Sequence, residues 1–357
     1  MKLAYLKIVI WISVSLVAVE LALEVRAMSR GWDTLFFGSA IVGERVIQKA
    51  GGSSEFGPTP SFPFRSRIVP ITKSSGDQRY WIASSSHAED SYLQPTAIFP
   101  VVLDRTLNEE GLSAVVLNAS RAGNDISANV EDLKRWGPQW NPDYVILYQM
   151  SLTVGSISKK LFSGNRGQKA SLNAQAEKTA GPVSWVNKLV ESTTIYANVK
   201  GQIAARVEAS RVLANDLGIQ GEQEYAELVH QFIRAARGIG AAPILTTFAT
   251  SHTRQHLGKF PEEIALLLFR NGAFLSVEGW VRSIERFNEV TRQIAGQEGV
   301  MLIDVASEVS GQPEYFRDFV HFTPEGHKAV ARTIKAALMR MEPREVSIVA
   351  QGQRPSL

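Results

Sequence analysis

The sequence predicts an α/β protein, a three-layer α/β/α sandwich around a parallel sheet, carried behind an N-terminal transmembrane helix. Two observations predict it. From Arg79 onward, short apolar runs bounded by turn residues alternate with longer helical stretches, which is the pattern of repeated βαβ units. At the start of the chain, Lys2 and Lys7 stand beside an apolar run from Ile8 to Val19, the pattern of a membrane insertion signal.

Composition narrows the chemistry. A chain of 357 residues with 45% apolar content can bury a large core, and disorder throughout is excluded. The formal charge is only +3 and the basic residues are scattered, so nothing supports nucleic acid as a partner. There is no cysteine, which removes disulfides, thiolate metal sites and cysteine nucleophiles together.

The N-terminal apolar run continues past Glu20 and Glu24 to about Val25. The stretch Val19 to Leu23 offers no convincing small-x-small cleavage site, so an uncleaved anchor is preferred. A span of roughly 20 residues requires Leu21 to Val25 to contribute, with both glutamates near the outer interface. The positive-inside rule then favours a cytoplasmic N-terminus and a single-pass protein of the cell inner membrane, its bulk periplasmic or extracellular. The plainer alternative is a buried N-terminal helix of a soluble protein. Residues 1–30 are therefore expected to form the anchor, 31–76 a Gly-, Pro- and Ser-rich connector, 77–342 the main α/β domain and 343–357 a tail.

Within the domain, strands are expected at Tyr80 to Ala83, Ala114 to Asn118, Tyr144 to Tyr148, Pro243 to Phe248 and Val300 to Val305, all short and apolar enough to be buried on both faces. Helices are expected at Ile98 to Glu109, Ile126 to Trp136, Gln223 to Arg237, Ser276 to Gln297 and Thr323 to Arg340. An insertion at about 155–220 interrupts this alternation. Its first part lacks apolar period and suits a lid or partner surface, and a helical stretch follows from about Val183 to Leu213.

Three segments carry chemistry. Asp318 stands three residues before His321, directly ahead of a helix that Thr323 and Pro324 would start. That spacing lets a carboxylate accept from one ring nitrogen while the other faces a nucleophile. Ser84-Ser85-Ser86-His87-Ala88-Glu89-Asp90 follows the first strand, where a hydroxyl would sit at the carboxyl edge of the sheet. Asn118-Ala119-Ser120-Arg121-Ala122-Gly123-Asn124-Asp125 follows the second, and its glycine lets a backbone amide approach a reacting carbonyl. Taken singly, these are also what a surface ion pair, a serine-rich helix cap and a turn glycine look like.

Taken in this order over residues 79 to 340, the segments resemble the conserved blocks of the SGNH/GDSL hydrolases, in a membrane-anchored bacterial form. The resemblance implies the flavodoxin-like parallel sheet of that fold. It also implies Ser86 as nucleophile, with Ser84 in place of the block's glycine and Ser85 the alternative if the register slips. Gly123 is implied as an oxyanion donor beside the Ser86 amide. The last block, Asp318, His321, Gly326 and His327, fits well, and His327 is expected to be structural. After the third strand the family carries Gly-x-Asn-Asp, whereas this chain reads Leu147-Tyr148-Gln149-Met150-Ser151-Leu152, with about Leu152 where the asparagine is expected. Gln149, Ser151 or Asn124 could supply the absent donor, or the protein is a weak or silent member of its kind.

The implied activity is that of an esterase or deacylase working through a serine acyl-enzyme on an acetylated glycan or lipid ester, with His321 as base and Asp318 fixing its tautomer. An O-acyltransferase and a silent glycan-binding or partner-binding domain are the alternatives. No cofactor or metal is expected: His252 and His256, one turn apart, lack acidic companions at ligand spacing.

Overall fold

The computed structural model describes residues 62–163, 213–256 and 274–341, together with 14–22 and a few isolated positions. Five strands form one parallel sheet in the order β2-β1-β3-β4-β5: β1 Gln78–Ser84, β2 Ala114–Asn118, β3 Tyr144–Tyr148, β4 Ala242–Thr246 and β5 Met301–Ile303. The eight helices of this region are α1 Ser86–Glu89, α2 Phe99–Glu109, α3 Ile126–Trp140, α4 Ser151–Ser163, α5 Gly218–Gly238, α6 Val277–Glu298, α7 Val305–Val309 and α8 Pro324–Leu338. Packing of α2 with α8, and of α3 with α5 and α5 with α6, makes two helical layers around the sheet. This is the expected α/β sandwich, and its strand order is the flavodoxin-like one, in which the chain reverses direction of winding between β1 and β3. Ligands of such sheets bind at that reversal, outside the carboxyl ends of the strands.

The strands read as apolar runs because helices cover both faces: Trp81, Ile82, Val145 and Ile146 are fully buried. The fourth and fifth strands differ from expectation at their ends. β4 begins one residue earlier and stops at Thr246, and β5 is only Met301–Ile303. Pro243 lacks a backbone donor, yet it is tolerated in β4 because pairing with β5 begins at Ile244. β2 lies at the sheet edge, and two of its backbone N–H groups are capped by side chains, Val116 by Asp104 at 2.8 Å and Asn118 by Ser66 at 3.0 Å.

Two expectations need correction. The expected connector is not merely a tether where it is described: Phe62, Phe64 and Ser66 are buried, with Phe62 packed edge-on against Phe64, Trp81 and Trp140 at 4.8, 5.6 and 4.8 Å. Aromatic residues spaced among prolines make a strap, a pattern that composition alone conceals. The expected insertion also begins later than 155, because α4 runs to Ser163, with Val154 and Ile157 buried. Residues 164–212, including the helical stretch from Val183, lie outside the described residues, as do most of the anchor and the tail after 341. Residues 14–22 are helical, with Val14, Leu16, Val17 and Val19 about half exposed, and among the described residues no helix is long and apolar enough to cross a membrane.

Candidate active site

β1 ends at Ser84, and the chain turns at once into α1, whose first residue is Ser86. The three serines have different fates. Ser84 is buried and donates to the Tyr148 carbonyl at 2.5 Å, and Ser85 is buried with its hydroxyl unpartnered. Ser86 is partly exposed, and its Oγ lies 2.8 Å from His321 Nε2. The structure thus brings Ser86, not Ser85, to the imidazole. Behind it, Asn118 Nδ2 donates to the Ala88 carbonyl at 2.9 Å and Asn129 Nδ2 to the Ser84 carbonyl at 2.9 Å. These two amides fix the backbone on both sides of the nucleophile.

His321 arrives from the other end of the domain, 235 residues along the chain. Its loop is held rigid by the start of α8, where Thr323 accepts from Gly326 N at 3.1 Å and Pro324 occupies the first turn. Gly326 is required there: a Cβ would collide with the Tyr315 carbonyl. The other ring nitrogen, Nδ1, lies 2.6 Å from Asp318 Oδ2, while Asp318 Oδ1 accepts from Val320 N at 2.8 Å and His321 N at 2.7 Å.

Burial alone would raise the Asp318 carboxyl, but the hydrogen bonds and charge of His321 outweigh it and hold it at about 2. The carboxylate is therefore ionised and can stabilise an imidazolium. Burial pulls His321 the other way, downward, and the Asp318 hydrogen bond and charge reverse this, so that its pKa lies above the ordinary histidine value.

The oxyanion side is built by α1 and the loop after β2. Ser86 opens a helix, so its N–H has no intrahelical acceptor. Gly123 has φ of +91°, a conformation open to glycine, in an exposed loop. Glu89 ties α1 to this loop by accepting from Ala122 N. Asn124 is placed differently from the expected donor role: its Nδ2 donates to Asp132 Oδ2 at 2.9 Å, and its carbonyl accepts from Gln149 Nε2. Both amides serve the loop itself. Of the residues after β3, Ser151 begins α4 with its hydroxyl buried, and Leu152 is half-buried beside it.

His87, Asp90 and Arg65 take part without having been given a role from the sequence. His87, directly after Ser86, is buried, with Nε2 3.1 Å from Ser151 Oγ and its ring stacked on His321 at 5.5 Å and 19°. Burial, reinforced by repulsion from His321, pushes its pKa down to about 3, so it is neutral. Asp90 is buried with a φ of +23° and lies 3.1 Å from His327 Nε2 and 3.4 Å from Arg317. Burial would raise it, and these partners hold it below the usual carboxylate range. His327 also accepts from Phe99 N at 3.1 Å, which makes it a neutral structural bridge. Arg65, from the strap, donates to the carbonyls of Glu89, Asp90 and Leu93 at 2.6, 2.6 and 2.5 Å.

An open parallel sheet with serine, imidazole and carboxylate linked in series at its carboxyl edge has the geometry of the serine-hydrolase class. No protein-family model and no curated protein matches the chain in sequence. Many of the solved structures it is similar to are GDSL lipolytic hydrolases and acetyl xylan esterases. A GDSL-like lipase from Bacteroides thetaiotaomicron is 12% identical over 73% of this chain and 88% of its own, with a TM-score of 0.41. A member of the lipolytic G-D-S-L family from Veillonella parvula is 10% identical over 74% and 100%, at 0.44. A mutant acetyl-xylooligosaccharide esterase from Geobacillus is 12% identical over 74% and 94%, also at 0.44. Chemistry does not follow from likenesses of this size; it rests on the triad.

Proposed function

We propose that this chain is a serine esterase or deacylase that cleaves esters through an acyl-enzyme on Ser86. The observation that carries this is the unbroken series Asp318, His321, Ser86, with contacts of 2.6 and 2.8 Å on opposite nitrogens of one ring. His321 takes the Ser86 proton as Oγ attacks the ester carbonyl carbon. The developing oxyanion is held by the N–H groups of Ser86 and Gly123. Collapse breaks the bond to the alcohol oxygen, which receives the proton from His321, and water attacking the acyl-enzyme by the same route returns free Ser86. Asp318 keeps the proton on Nδ1, so that Nε2 is the base.

The N-terminal apolar run supports a setting on the outer face of the inner membrane, where acetylated glycans and lipid esters are the available substrates. Full-length protein assayed with p-nitrophenyl acetate, beside Ser86→Ala and His321→Ala, tests the chemistry: both substitutions are expected to abolish hydrolysis. Absence of turnover across a broad ester panel removes the enzyme and leaves a binding domain. An acylated sugar appearing when a carbohydrate acceptor is supplied would make it a transferase. Release of the protein from membranes by alkaline carbonate would remove the anchor.

A further inference from the structure

The site described so far has two oxyanion donors and, after β3, no asparagine to provide a third. Two of the polar groups near that gap are committed elsewhere, Gln149 Nε2 to the Asn124 carbonyl and Asn124 Nδ2 to Asp132. Ser151 is different. Parallel pairing sets Ser84 beside Tyr148, so Ser86 and Ser151, each just beyond its strand, lie past the same carboxyl ends of the adjacent strands β1 and β3, where ligands of such sheets bind. Among the described residues, the hydrogen bond of Ser151 Oγ is to His87 Nε2, at 3.1 Å.

The direction of that bond decides what Ser151 can do. His87 Nδ1 is buried without a partner, in a ring packed edge-on against Phe248 at 4.8 Å and Tyr148 at 6.4 Å. A buried N–H left unpaired is rarer than a buried acceptor left unpaired, so the ring proton belongs on Nε2. His87 then donates to Ser151 Oγ, whose own proton must point away from the imidazole. The same buried ring is stacked against His321 at 5.5 Å and 19°.

We propose that Ser151 is the third oxyanion donor and that His87 is a positioning residue, which turns the Ser151 hydroxyl proton toward the reacting carbonyl oxygen and seats the His321 ring. This rests on the serine-hydrolase function proposed above. A hydroxyl would thus perform, through a buried imidazole, the task a carboxamide performs alone.

The test uses full-length protein. With ¹⁵N-labelled histidine, and the His87 signals assigned by their loss in His87→Gln, His87 is expected as the neutral Nε2–H tautomer from pH 5 to 8; the Nδ1–H tautomer overturns the proposal. In ester hydrolysis, Ser151→Ala is expected to lower kcat by about a hundredfold with KM little changed. His87→Phe keeps a ring against His321 but loses the donor. It should show a similar loss, and the double variant should be no slower than the slower single variant. Unchanged kcat in Ser151→Ala, or losses that multiply, overturns the proposal while leaving the hydrolase standing. A wild-type protein that hydrolyses no ester overturns both. If His87→Phe does not fold, the tautomer and Ser151→Ala decide alone.

Discussion

The two ends of the parallel sheet both bury charge, and they use it oppositely. At the amino ends of the strands, Arg79 is 1% exposed, and its Nη atoms donate to the carbonyls of Pro70, Ile71, Thr72 and Trp140 at 2.7 to 3.0 Å. Asp143 accepts from Arg79 N at 2.7 Å and from Lys73 at 2.5 Å. Arg79 faces inward, and with the partly exposed Asp143 it closes the structure. At the carboxyl ends, the Asp318 and His321 pair faces a partly exposed hydroxyl, and Ser85 Oγ, His87 Nδ1 and Gln149 Oε1 remain buried without partners. Unmet polar groups gathered beside a reactive one are a tolerated cost of function, whereas at the opposite end Arg79 Nε is unmet but both Nη atoms hold the chain together.

Substitutions can break or sharpen that contrast. The largest effect is expected of Ser86→Ala, a loss of ester turnover of about 10⁴-fold or more with an unchanged urea midpoint. Next is Asp318→Asn, expected to cost roughly 10³ to 10⁴-fold in kcat by losing the tautomer. It also changes the pH profile. Protonated His321 cannot accept the Ser86 proton, so activity falls as pH drops through its raised pKa; without the Asp318 charge that limb moves to lower pH.

Stability responds to the same carboxyl with the opposite bookkeeping sign from a raised base. Its folded pKa, about 2, lies below the unfolded value, so its contribution is present above about pH 4 and is lost as pH falls toward 2. Acid unfolding of wild type against Asp318→Asn measures this. Arg79→Met is expected to destabilise by about 3 kcal/mol, because buried carbonyls lose a charged donor, while specific activity of the folded fraction is unchanged. An Arg79→Met protein that kept its stability and lost catalysis would erase the distinction between the two ends. The smallest effect is expected of Thr323→Ala, about 1 kcal/mol from the lost cap of α8.

Much of this was legible in the sequence because short-range chemistry controls it. Strands buried on both faces are uninterrupted apolar runs, and Asp318, His321 and the Thr323-Pro324 start of α8 lie within a few residues of one another. What was hidden depends on distant partners. His87 is an unremarkable polar residue until β3 delivers Ser151 to it, and Asp90 acquires its role only from Arg317 and His327. Phe62 and Phe64 sit among prolines and serines that suggest loose chain, and only Trp81 and Trp140 make them core. Asn124 had the right chemistry in the right loop, and Asp132 on the next helix turns its amide elsewhere.

Arg65 bears on where the polypeptide can be cut. A shortened chain begun at Gln78 would retain all five described strands and the whole triad, yet it would lack the guanidinium that fastens the carbonyls of Glu89, Asp90 and Leu93. Its serine would be present on a turn still held by Asn118 and Asn129 but loosened at the far end of α1. A cut before Phe56 would instead keep Arg65 with the triad, so two neighbouring scissions would have contrary outcomes, one sparing the site and the other loosening it.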